Sequence, residues 1–186
     1  MRELNVQIPA HLQTPHWRNS PPSNQGLCAG HVEHALRWED VSWLQAEAGL
    51  PVLLKGITHP LDAQQAARLG VAGVIVSNHG GRVLDTQAVT AESLPAMTNA
   101  LQGDIPVLVD GGIRRGSDVF KALALGAQAV LVGRPCLHGL AVAGALGVAH
   151  VLRLLRDELE MTMALCGCRD LDSITRAHVK ADAQWI

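Results

Sequence analysis

The chain has 186 residues, 48% of them hydrophobic, which is enough for one well-buried domain. Lysine and arginine number 15 against 17 aspartates and glutamates, a net charge of -2, with no basic stripe for nucleic acid and no charge block for a tail. No apolar run is read as long enough to span a membrane and no signal-peptide or carboxy-terminal targeting pattern is seen, so a cytoplasmic protein is expected, with the peroxisome left open.

Residues 1–37 are read as an irregular segment, because Pro9, Pro15, Pro21 and Pro22 break helices and Asn19-Ser20 and Ser23-Asn24 favour turns. Residues 38–186 are read as one domain. A helix is expected around Trp38–Ala48, where Trp38, Val41 and Leu44 share a face. Pro51–Leu54 is a strand candidate and Leu61–Leu69 a helix stopped by Gly70. Ala72–Val76 is the next strand and Thr90–Leu101 the next helix. Ile105–Val109 then precedes a helix over Ser117–Leu125, stopped by Gly126. Ala129–Val132 is the last strand, followed by helix to about Leu165 and again near Leu171–Val179. The strands are short and continuously apolar, as in a parallel sheet buried on both faces.

About four βα units follow one another. An open doubly wound sheet satisfies that count, but the spacing and loop chemistry look like a TIM (β/α)8-type barrel, which needs eight units. The chain then supplies a half-barrel plus carboxy-terminal helices. Two unpaired strand edges would invite pairing. A completing partner or a longer parent chain is therefore expected.

The polar signals fall at the carboxyl ends of the expected strands. Lys55 follows the first; Ser77, His79 and Arg82 follow the second; Asp110-Gly111-Gly112-Ile113-Arg114 follows the third; Gly133-Arg134 follows the fourth. In a βα barrel these ends share one rim, where active sites lie. Imidazole takes a proton near neutrality, and guanidinium matches a carboxylate. His79 and Arg82 thus suggest deprotonation of a small acid held by its carboxylate. Asp110 to Arg114 with Gly133 and Arg134 suggest a split phosphate site, helped by the positive end of the helix near Ser117. Plainer readings stand beside these: a hydrogen-bonded structural His79, a snorkelling Lys55, and a tight turn at Gly111-Gly112. Four cysteines show no disulfide framework. Cys166-Gly167-Cys168 reads as buried thiols near a helix end rather than a metal site, and no histidine pair has metalloprotease spacing.

Lys55-Gly56, the Ser77–Arg82 stretch with Leu84-Asp85, Asp110–Gly116, and Gly133-Arg134-Pro135 closely resemble the FMN-dependent α-hydroxy acid oxidases and dehydrogenases. Phe120–Ala127 and Arg156–Met163 are similar too, so the likeness runs from about Trp38 to His178, with a weaker match over Arg2–Leu12. The resemblance implies the last four βα units of a barrel, with FMN as cofactor and a small (S)-2-hydroxy acid as substrate. It implies His79 as proton acceptor and Arg82 on the substrate carboxylate. Lys55 would lie by the flavin ring with Ser77 also on FMN, and Asp110, Gly111, Gly112, Ile113 and Arg114 would line the ribityl-phosphate arm, with Gly133 and Arg134 on the phosphate. Expected partners are further copies of the chain or a completing amino-terminal half. The family's tyrosines are missing, because the chain has no tyrosine.

Two other readings stand against this one. A catalytically silent half-barrel would act as a binding or assembly subunit. An inosine monophosphate dehydrogenase-like barrel would need a catalytic cysteine in a glycine-rich loop, and Cys136 after Gly133-Arg134-Pro135 does not fit.

Overall fold

The computed structural model describes residues 36–180. The expected irregular segment therefore lies, up to residue 35, outside the described residues, as do Cys28 and the weak family match over Arg2–Leu12. The chain divides into two units between Val52 and Leu53. Within the described part of the first, α1 (Trp38–Ala48) starts where the Arg37 N–H donates to the Asp40 carboxylate at 2.7 Å, and it stops at Gly49, with φ 57°.

The second unit alternates strand and helix: β1 (Leu53–Ile57), α2 (Pro60–Arg68), β2 (Gly73–Val76), α3 (Thr90–Leu101), β3 (Val107–Asp110), α4 (Gly116–Ala124), β4 (Ala129–Leu131) and α5 (Arg134–Leu165). All strand pairs are parallel and the order is β1-β2-β3-β4. Consecutive order without reversal is that of a partial α/β barrel, not of a doubly wound sheet, whose order reverses at a switch point.

The sheet has two unlike faces. Val74, Val76, Val107 and Val109 are buried, together with Ala63 and Ala66 of α2 and Leu94, Met97 and Leu101 of α3. Burying each of these valines, leucines and the methionine contributes roughly 1.5–3 kcal/mol. The other face carries Lys55, Ile75 and Leu108 in register, then Asp110 opposite Leu131, and it is only half-buried. Strand residues two apart share a face, so this polar pair and its apolar neighbours all project from the same side.

Four expectations need correction. The first strand begins at Leu53, not Pro51, and runs through Lys55 to Ile57, so Lys55 lies inside β1 rather than after it. The cause is Gly56: its φ of 98° and a register shift between Lys55 and Ile57 make a bulge that lets the strand continue. Near Leu171–Val179 two 3-10 turns, Leu171–Ser173 and Arg176–His178, replace the expected helix. There the Asp170 side chain accepts the Ser173 N–H at 2.8 Å and the His178 ring accepts the Thr175 N–H at 3.1 Å, competing with helical bonds.

The third correction is within α5. An 18-residue window of this helix, with mean hydropathy 1.6, is long and apolar enough to cross a membrane by length and composition, contrary to the expectation from sequence. The helix is not straight. Ala143 and Gly144 leave helical geometry, and the backbones at Gly139 and Gly147 touch: a Cβ on Gly139 would stand 2.6 Å from the Gly147 carbonyl oxygen. Eight residues of straight helix would separate them by about 12 Å. The chain thus turns back, and 134–142 packs against 145–165.

The fourth concerns the start of α4. Asp118 accepts the N–H groups of Arg114 and Arg115, both at 3.0 Å, and Glu158 accepts that of Gly116 at 2.8 Å. Carboxylates already occupy the helix end that was expected to serve a phosphate.

Candidate active site

The carboxyl ends of β1, β2 and β3 meet at Lys55. Its Nζ donates to Ser77 Oγ at 2.7 Å and lies 2.7 Å from Asp110 Oδ2. Ser77 is fully buried, the Asp110 side chain is 19% exposed and that of Lys55 39%. Lys55 is therefore not a snorkelling surface lysine: its head is turned to two partners, Ser77 just after β2 and Asp110 at the end of β3. Asp110 Oδ1 is buried with no hydrogen-bond partner among the described residues. An unpaired buried carboxylate oxygen is costly, so it marks a place where a donor from outside the chain fits.

The loop after β2 holds His79 in an unusual conformation. Its φ is 55°, in the left-handed region that costs a non-glycine residue free energy unless the surroundings enforce it. Several contacts do so. Ser77 Oγ accepts the His79 N–H at 3.1 Å, and Asn78 Oδ1 accepts that of Gly80 at 3.1 Å. Asn78 Nδ2 donates to the Ala88 carbonyl at 3.3 Å, and Arg134 Nη2 donates to the Gly80 carbonyl at 3.2 Å. Gly80 and Gly81 follow, both with positive φ, so the chain reverses tightly before Arg82. His79 and Arg82 are both exposed.

Gly111 has φ 89°, and a Cβ there would stand 2.8 Å from Oγ1 of the buried Thr90. Only glycine fits that turn, which carries Asp110 into Gly112. Ile113 is buried, while Arg114 is exposed with its backbone bonded to Asp118. Gly133 precedes α5, which begins at Arg134, so the positive end of this helix lies beside an arginine. The structure thus joins Lys55, Ser77 and Asp110 directly and links Arg134 to the His79 loop. Arg82, Gly112 and Arg114 lie in the adjoining loops. Sequence reasoning passed over two contributors. Asn78, in a turn before two glycines, had a readable signal as a side-chain cap; Thr90 had none.

A profile of FMN-dependent dehydrogenases matches residues 3–181. The chain belongs to this family. It is 53% identical over 155 residues to a peroxisomal (S)-2-hydroxy-acid oxidase of Oryza sativa subsp. japonica, covering 83% of this chain and 42% of that protein. Glycolate oxidase 3 of Arabidopsis thaliana and glycolate oxidase of Spinacia oleracea are each 53% identical over 154 residues, with the same coverage. Among solved structures, a mandelate oxidase variant with a monooxide FMN adduct superposes with a TM-score of 0.75 at 48% identity, over 77% of this chain and 46% of that one. Mandelate oxidase with 3,3-difluoro-2-hydroxy-3-phenylpropionic acid gives 0.75 at 44% identity, over 86% and 48%. The chain spans about two fifths of the length of the curated relatives it matches.

The cofactor of an FMN-dependent dehydrogenase suits this rim. The orphaned Asp110 Oδ1 offers an acceptor, and Lys55 and Arg134 offer positive charge, of the kinds that the hydroxyls, reduced ring and phosphate of FMN would use.

Proposed function

We propose that the chain supplies the carboxy-terminal half of an FMN-dependent oxidase of small (S)-2-hydroxy acids, active when the first four βα units complete the barrel. The observation that carries this reading is the Lys55–Ser77–Asp110 network beside His79: a cation, an orphaned acceptor and a base meet at one rim. Lys55, Ser77, Asp110, Gly111, Gly112, Ile113, Arg114, Gly133 and Arg134 hold the cofactor. Asp110 accepts from its ribityl arm, and Arg134, with the start of α5, neutralises its phosphate.

FMN, when bound, accepts the two electrons that leave the α-carbon of the substrate. Arg82 holds the substrate carboxylate through its planar fork. His79 takes the proton lost as the 2-hydroxy acid becomes a 2-oxo acid. Lys55 is already fixed by two bonds, so its charge needs no reorganisation as negative charge develops beside it. Dioxygen is the final acceptor in this reading and leaves as hydrogen peroxide, in keeping with curated relatives named as oxidases.

The test is oxygen uptake and peroxide release by the FMN-loaded, barrel-completed enzyme given glycolate. One peroxide per 2-oxo acid is expected. Oxidation of glycolate without oxygen uptake would make the protein a dehydrogenase; no oxidation of any 2-hydroxy acid would favour the silent assembly subunit.

A further inference from the structure

Gly56 stands under the imidazole of His79. A Cβ built on Gly56 would lie 2.6 Å from His79 Cε1, 3.4 Å from Nε2 and 3.6 Å from Nδ1. The ring therefore rests over the backbone of β1 and meets it at the one residue without a side chain. Gly56 is also where β1 departs from regularity: its φ is 98°, and the pairing with β2 shifts register between Lys55 and Ile57. Bulges re-aim side chains beside functional sites.

The contacts of the His79 and Gly80 backbone fix where the His79 Cα sits, but not where the ring points. The floor made by Gly56 bears on the ring. Carbon atoms in contact rest about 3.5–4.0 Å apart, so a methyl group at Gly56 would displace the imidazole by about 1 Å.

We propose that Gly56 is a positioning residue, and that the bulge in β1 sets the direction in which the His79 imidazole takes up the substrate proton. The inference rests on the reading of His79 as the base. A misplacement of about 1 Å costs on the order of a hundredfold in rate where geometry governs catalysis.

The test has two arms. The first measures thermal unfolding of this chain as wild type, Gly56→Ala, His79→Ala and the double variant. A steric contact makes Gly56→Ala cost less when the His79 ring is gone. Gly103→Ala is the control for backbone strain: Gly103 has φ 92°, and a Cβ there meets nothing within 4 Å. Its cost should be the same with or without the His79 ring. The second arm measures turnover in the FMN-loaded, barrel-completed enzyme. Gly56→Ala should lower kcat about a hundredfold with FMN retained and KM little changed, and Gly103→Ala should leave kcat as it is.

Equal unfolding cost of Gly56→Ala in both His79 backgrounds would overturn the inference whatever the activity. Coupling in the first arm with unchanged kcat for Gly56→Ala, while His79→Gln is inactive, would overturn it too. If His79→Gln itself turns over normally, the reading of His79 as base fails, and the first arm still reports the contact.

Discussion

Lys55→Met removes the cation that joins three strands while keeping a side chain of similar length. At 2.7 Å and an effective dielectric of about 20, the attraction between Lys55 and Asp110 is about 6 kcal/mol before desolvation. Most of that is returned, because both charges leave water and a flexible side chain is held still. Exposed pairs keep about 0.2–1 kcal/mol, whereas breaking a fully buried pair costs about 3–5 kcal/mol. With Lys55 39% exposed and Asp110 19%, an intermediate loss of about 2 kcal/mol is expected, a factor of about 30 in the folding equilibrium. The loss of the Ser77 contact is included, since Ser77 Oγ keeps the His79 N–H. Urea unfolding of the chain followed by circular dichroism measures it, with the slope m unchanged. In an Asp110→Asn background the same substitution should cost at least 1 kcal/mol less, because no carboxylate is then left without its cation. A loss below about 0.5 kcal/mol with no coupling would mean that water replaces Lys55 freely, and the network would not organise the rim.

His79→Gln should retain FMN in the assembled enzyme but slow reduction by substrate by about 10²–10⁴, read as bleaching in stopped flow; near-normal reduction removes His79 as the base. Arg82→Lys should raise KM about tenfold or more with FMN affinity unchanged, because an ammonium cannot make the bidentate contact; an unchanged KM takes Arg82 out of the site. Cys168 packs with Phe120, Ala124 and Ile174, its Sγ 3.4 Å from His178 Nε2, and burial pushes its thiol up. A raised thiol contributes stability that is full below its unfolded value and is lost as pH rises through the folded one, so alkaline destabilisation should be weaker in Cys168→Ala. Equal alkaline loss in both proteins would refute that assignment.

Much of this was legible in the chain because local signals agreed. Four apolar runs separated by helical periods, two of the helices stopped by glycine, leave little but parallel βα units, and Gly70 and Gly126 do end helices with positive φ. The rim was legible for the same reason: polar residues directly after apolar runs share one end of a parallel sheet. Long-range contacts were not legible. Glu158 reaches the Gly116 N–H from 42 residues away, so the sequence near Ser117 looks like a free helix end when it is not. The bend at Ala143 and Gly144 falls inside a stretch read as one helix to about Leu165, and the non-helical geometry there together with the close approach of Gly139 to Gly147 shows that the chain turns. Gly56 looks like a strand terminator until the register shift shows a bulge. Asp170 and Thr175 make local side-chain and backbone bonds that decide between helix and turn only when little packing favours the helix.

The most direct measurement is the visible spectrum of the protein loaded with FMN, desalted, and mixed with glycolate in the absence of oxygen. Retained flavin absorbance that bleaches on mixing and returns with air is the predicted result. Flavin that washes out from the barrel-completed protein, or a band that no 2-hydroxy acid bleaches, would contradict the assignment of this rim as the site of 2-hydroxy acid oxidation.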